Sequence, residues 1–261
     1  MSKAIWWSII IVGLGLCALI IYYALPKTQP EPTVRQPPAA AQPPAPAEPQ
    51  IRFPLAQRTP EQPLPALDVS DSTMRNALDE LVSDKSLIEL LLPQDFVRRI
   101  VVTVDNLPRQ KLALRLIPLK LPGGKFLVSG KDNNQAMAPD NAARYALYVK
   151  LAEVIDAKKL VARYVHYYPL FQQAYQDLGY PKGYFNDRLV EVIDHLLATP
   201  DLGAPPGLVR PKVFYLFADP ALEARSAGQK ILMRIGNDNA ARIKAKLSEL
   251  RGELTRQAPK P

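Results

Sequence analysis

The chain has 261 residues, a net charge of +8, 27 prolines and a single cysteine. One cysteine excludes an intrachain disulfide and any paired-cysteine metal spacing. The basic excess suits an anionic partner such as phospholipid, cell-wall polymer or nucleic acid, or simply a well-solvated surface.

Residues 5–25, IWWSIIIVGLGLCALIIYYAL, hold 21 residues without a charge. As a helix they are long enough to cross ~30 Å of hydrocarbon. Trp6 and Trp7 stand at one end and Tyr22 and Tyr23 at the other, where amphipathic rings favour the lipid–water boundary. The run is too long for the core of a cleaved signal peptide, and no small-x-small site follows it. Leu16 before Cys17 argues against lipoprotein acylation. A short head before a large domain is expected to stay inside. The expectation is therefore a single-pass anchor in a bacterial inner membrane, with a cytoplasmic N-terminus and a periplasmic domain. Flanking charges are nearly balanced and add little to the orientation.

From Pro26 to Pro65 there are 13 prolines in 40 residues. Proline fixes φ and removes a backbone donor, so this stretch is expected to be a disordered, extended linker with polyproline II character. The predicted folded domain is mainly α-helical and covers residues 66–256, with a disordered tail at 257–261.

LDVSDSTMRNALDELVSD opens the domain, with Ser70 or Asp71 as N-cap and Met74, Ala77, Leu78 and Leu81 at helical spacing. FVRRIVVTVDNL favours helix, although its β-branched run also fits a strand. Residues 108–130 alternate and contain Pro122-Gly123-Gly124, which predicts a small β-hairpin. NNQAMAPDNAA reads as a loop. A long helical pattern follows to Gly179, expected to kink or break at Pro169. The next helix starts at Asn186 or Asp187. TPDLGAPPG is a loop, KVFYLFA a short strand, and Asp219-Pro220 caps a final helical pair that breaks near Gly236.

The aromatic-rich stretch 167–195 carries the candidate site residues. Tyr164, Tyr168, Phe171 and Tyr175 form one helical stripe, and Asp187, Glu191 and His195 form another at i, i+4 and i+8. The reading adopted is structural: the tyrosines pack on the second helix and their hydroxyls bond its Asp, Glu and His. A ligand groove lined by Tyr168, Tyr175, Tyr184, Asn186 and Arg188 is the alternative. A third is a hydrolase or lyase acting on a cell-wall or other anionic substrate, with Asp187, Glu191 and His195 as its acid–base groups. No metal set, cofactor loop, GxSxG or HExxH pattern is present, so no cofactor is expected. The basic residues Arg242, Lys244, Lys246 and Arg251 are spread along a helix with an apolar seam, which does not favour nucleic acid.

VDNLPR (104–109), YPLFQQAY (168–175), LGYP (178–181), FNDRLVEVIDHLLATP (185–200) and FADPALEARSAGQK (217–230) resemble a family of bacterial envelope proteins called domain of unknown function 3014. The resemblance spans roughly residues 64 to 255. It implies a single-pass anchor, a proline-rich linker and one domain, and implies no activity. Two departures are Arg225, where the family tends to be apolar, and Ala142, where an aromatic is usual. The expected role is a binding or scaffold module for an envelope protein or cell-wall polymer, non-enzymatic rather than catalytic, with no preference as to oligomeric state.

Overall fold

A computed structural model describes residues 50–55, 63–131 and 134–256. All of them belong to one compact unit, Glu48–Pro261. The anchor at 5–25 with Trp6, Trp7, Tyr22 and Tyr23, most of the linker, and the tail at 257–261 lie outside the described residues. Among the described residues no helix is long and apolar enough to cross a membrane.

The described part is mainly helical, with one small antiparallel sheet. Helix α1 (Asp71–Leu81) buries Met74 and Ala77. Ser70 precedes it, but its hydroxyl donates to the Leu67 carbonyl instead of capping. The Asp71 carboxylate accepts from the Asp95 and Phe96 N–H groups at 2.8 and 3.0 Å. It therefore satisfies free donors at the start of α3 (Phe96–Asn106). Between them lies the short α2 (Lys85–Ile88). The β-branched run of α3 is helical because Phe96, Val97 and Val101 recur at helical spacing and are buried together.

α4 (Ala146–Val154) leads into α5 (Ala157–Asp177), capped by Asp156. The expected break at Pro169 does not occur, and α5 runs through it. Pro169 is exposed, so water can reach the freed carbonyl one turn back, while its neighbours Tyr168 and Leu170 are buried and hold the helix in place. α6 (Phe185–Leu197) follows a turn at Gly179, whose φ is 112°. α7 (Pro220–Glu223) is capped by Asp219, α8 (Ala227–Arg234) by Ser226, and α9 (Asn237–Arg256) follows Gly236. α9 packs on α4, α5 and α6, and α3 on α5 and α6.

The sheet is placed differently from expectation. Strand β1 (Val128–Ser129) pairs with β2 (Gln135–Met137), then β3 (Gly207–Val209) and β4 (Leu216–Phe217), all antiparallel in that order. Val128 faces Met137, Gln135 faces Leu208, and Leu208 faces Phe217. Residues 110–121 are not a hairpin arm: they hold a 3-10 turn at Leu114–Leu116 and one bridge from Leu119 to Leu91. Pro118 lacks an N–H, which interrupts a ladder there. Two stretches read as loops, around Gln135 and Gly207, supply the central strands instead. Met137, Leu208 and Phe217 pack with Met233 of α8 as one small core.

The main core joins α1, α3, α5 and α6 around Tyr168, Phe171, Tyr175 and Phe185. The Phe171 and Phe185 rings stack at 6.1 Å and the Tyr164 and Tyr168 rings meet edge-on at 5.6 Å. Each fully buried side chain of this size stabilises by about 1.5–3 kcal/mol. The aromatic stripe read from the sequence is thus chiefly core.

Candidate functional site

α6 carries the three acid–base candidates, and the structure sends them to different neighbours. Asp187 lies in the first turn, where negative charge faces the positive end of the helix. Its two carboxylate oxygens accept from the N–H groups of Arg52 and Phe53, both at 2.8 Å. Glu191 accepts from Arg188 at 2.9 Å. His195 Nε2 lies 2.8 Å from the Ser226 hydroxyl, which also caps α8, while the Gln229 amide donates to the His195 carbonyl. The expected bonds from tyrosine hydroxyls to these three groups are absent. The Tyr168 hydroxyl donates to Gln172, and the Tyr184 hydroxyl accepts from the Leu55 N–H. The three groups are already engaged elsewhere, Asp187 by the 52–53 backbone, Glu191 by Arg188 and His195 by Ser226.

Residues 52–55, read as linker, run along the start of α6. Arg52 and Phe53 N–H groups go to Asp187, Leu55 N–H goes to Tyr184, and Pro54 has none to place. The Asn186 amide donates to the Phe53 carbonyl at 2.8 Å. Phe53 packs with Val161, Val190 and Leu254, and Leu55 is buried with Tyr168 and Phe185. Three of the residues weighed for a ligand groove or catalysis, Tyr184, Asn186 and Asp187, thus hold a peptide segment, and that segment is the chain's own.

Sequence reading missed Asp105. It sits on α3 in line with Val97 and Val101, and is 2% exposed. Arg109 donates to it at 2.6 Å, Arg188 at 3.2 Å and the Tyr180 hydroxyl at 3.3 Å. Arg188 also bonds the Asp105 carbonyl at 3.0 Å. The neighbouring carboxylate raises the Arg109 pKa above its ordinary value. The Tyr180 ring stacks on Tyr175 at 4.6 Å, and burial pushes the Tyr175 phenol up. The signal that could have found this cluster is a carboxylate at i+8 in an apolar helical stripe, since a buried charge demands partners. α8 closes on the same end of α3. Its Ala227 and Gly228 N–H groups bond the Arg109 and Leu107 carbonyls at 2.7 and 2.9 Å. A Cβ on Gly228 would come within 2.6 Å of Leu196.

A different feature lies between α1, α3, α5, α6 and α9. It is an apolar cleft of about 240 Å³, lined by residues including Met74, Leu78, Tyr164, Phe185 and Leu250, with Arg163 as the one charged lining residue. The Tyr164 hydroxyl is buried and has no hydrogen-bond partner among the described residues. Burial pushes its phenol well above the usual tyrosine range and raises Tyr168 strongly as well, so both stay protonated. A second hollow of about 260 Å³ lies beside Ala142, Met233 and Gly236, the place where the family resemblance implies an aromatic.

The basic side chains of α9 are engaged: Arg242 with Glu153, Lys244 with Asp201, Lys246 with Glu249 and Arg251 with Asp194. Among the described residues no three His, Cys, Asp or Glu side chains come together as a metal site. A family model described as "Protein of unknown function (DUF3014)" matches residues 96–251, more than half of the chain. No curated protein and no solved structure matches this chain.

Proposed function

We propose a function for this chain from one premise: it belongs to the DUF3014 family of proteins of unknown function. The chain is a membrane-anchored binding or scaffold module for envelope components. Residues 5–25 hold it in a bacterial inner membrane, the proline-rich stretch spaces it away, and the helical domain works in the periplasm on an envelope protein or cell-wall polymer. The anchor is supported by the uncharged 21-residue run with aromatic residues at both ends.

One observation carries the binding reading over a catalytic one. Asp187 bonds the 52–53 backbone, Glu191 the Arg188 side chain of its own helix, and His195 the Ser226 hydroxyl that caps α8. An acid–base pair needs its groups within hydrogen-bond reach of one reacting centre. Here the first turn of α6 holds the chain's own peptide, the middle holds Arg188, and the end holds the cap of α8.

The test has two arms. A reporter fused after Pro261 should be active only outside the cytoplasm, and cytoplasmic activity would reverse the topology. Crosslinking capture from native membranes should return the same partners with Glu191→Gln as with the natural chain. Glu191 is half exposed, so this substitution should change stability by less than about 1 kcal/mol. A hydrolytic or lyase activity lost in Glu191→Gln at unchanged stability would overturn the binding reading.

A further inference from the structure

The apolar cleft is lined almost wholly by aliphatic and aromatic side chains, and its one charged lining residue, Arg163, pairs with Glu80. We propose that it takes up a single hydrocarbon chain ending in an anionic head, as in a fatty acid or one acyl chain of an anionic phospholipid. This deepens the binding-module reading and rests on it.

The walls come from five helices and are almost wholly hydrocarbon and aromatic ring. Water is poorly held in such a space, because each buried water needs two to four polar partners. The Tyr164 ring faces the cleft, but its hydroxyl is buried away from solvent and gives a water molecule no accessible handle. An apolar cavity of about 150 Å³ holds a benzene molecule, so about 240 Å³ leaves room for a stretch of hydrocarbon chain. The wall also holds a small residue, Ala77, where α1 otherwise presents Met74, Leu78 and Leu81, so the space is left open by the sequence itself.

The mouth supplies the other half of an amphiphile site. Arg163 is the charged residue there, and it is paired with Glu80 across from α5 to α1. Both are roughly half exposed. A carboxylate or phosphate head can replace Glu80 on Arg163 as a charge-assisted, bidentate partner. The chain's route brings the cleft to a source of such molecules. Residues 26–51 between the apolar run and Phe53 could extend to ~80 Å at ~3.1 Å per residue, so the domain can reach the bilayer surface. The bound segment 52–55 packs on Val161 and Leu254, which also line the cleft, so the tether ends beside it.

The experiment uses the full chain in phosphatidylglycerol-containing vesicles. One arm carries trace phosphatidylglycerol with a diazirine in its acyl chain, and the other carries free diazirine palmitic acid. After irradiation, digestion and mass spectrometry, adducts are expected on peptides from α1, α5 and α9 as well as on residues 5–25. Labelling in the lipid arm assigns the ligand to phospholipid, and labelling in the palmitate arm alone assigns it to free fatty acid. Ala77→Leu, which fills the space, should cut the α1, α5 and α9 adducts by about tenfold while leaving those on residues 5–25 unchanged. Leu78→Trp is the second filling variant, and the melting transition of each confirms folding. Arg163→Glu should reduce cleft labelling without unfolding the domain. Adducts confined to residues 5–25 in both arms, or cleft labelling unaffected by both filling variants, would overturn the proposal. So would crosslinks from the cleft to another polypeptide. Alkaline carbonate extraction of the same membranes separates the two readings. Release of the chain removes the anchor but leaves the palmitate arm to decide the cleft.

Discussion

Replacing Asp105 by alanine tests the most demanding electrostatic feature of the fold. The carboxylate is 3% exposed and accepts from Arg109, Arg188 and Tyr180. Removing one partner of a buried ion pair costs about 3–5 kcal/mol, because the remaining charge stays buried without its counter-ion. The two arginines do not share that loss equally. The Arg188 side chain is 19% exposed and the Arg109 side chain 54%, so solvent screens Arg109 and relieves it. Arg188 also keeps Glu191 as a second partner. These offsets put Asp105→Ala at the low end, about 3 kcal/mol. Arg188→Ala should follow at about 2 kcal/mol and Arg109→Ala below about 1 kcal/mol. The assay is urea unfolding of a chain beginning at Glu48, which keeps the compact unit that contains every described residue. With a slope near 2 kcal/mol per molar, Asp105→Ala should lower the midpoint by about 1.5 M at unchanged slope. A shift under about 0.3 M, or Arg109→Ala costing more than Arg188→Ala, would refute the reasoning.

Other substitutions probe the neighbouring contacts. Asp187→Ala removes the acceptor of two backbone N–H groups and should cost about 1–3 kcal/mol and open residues 50–55 to limited proteolysis; protection as in the natural chain would show that the segment is held by Phe53 and Leu55 alone. Ser226→Ala loses the cap of α8 and the His195 contact, and should lower stability by about 1 kcal/mol in thermal melts. Gly228→Ala places a Cβ against Leu196 and the Leu107 carbonyl and should cost about 1–3 kcal/mol, read by the same melts. Burial opposes the charge on Glu223, yet Lys230 and the Phe217 N–H outweigh it and leave the pKa below its ordinary value. Because the folded-state value is depressed, this stabilisation is present above the unfolded value of about 4.3 and is lost as pH falls through the lower folded value. Glu223→Gln should therefore flatten the stability profile between neutral pH and about pH 3, measured by unfolding at stepped pH.

Much of the helical architecture was legible, and the reasons are local. Phe96, Val97 and Val101 bury together on α3, so helical period overrode the strand preference of Ile100–Val104. Asp219 caps where a short polar residue precedes a proline and a helical run. The outer strands β1 and β4 fall within stretches read as strand, but the central strands and the pairing were not legible because each strand is two or three residues long, below the length at which alternation differs from chance. Residues 52–55 were hidden by composition: proline dominates the surrounding stretch, and only Phe53 and Leu55 on either side of Pro54 mark a segment with apolar surface to bury.

Asp187, Glu191 and His195 meet separate partners for a geometric reason that applies to any helix. Residues at i, i+4 and i+8 share a face, but each step rises about 6 Å along the axis and rotates by about 40°. Asp187 and His195 are therefore separated by about 12 Å of helix. In this fold that length meets three different neighbours: the peptide at 52–53 beside the first turn, the end of α3 beside the middle, and the start of α8 beside the last turn. The same spacing in the apolar direction does assemble, because side chains such as Phe185, Leu189 and Ile193 need only contiguous surface and not one shared centre. A helical stripe of apolar residues can line one cleft along its whole length. A stripe of acids and a histidine makes a catalytic centre only when their ends reach one reacting centre, whereas here the three groups bond the 52–53 backbone, Arg188 and Ser226.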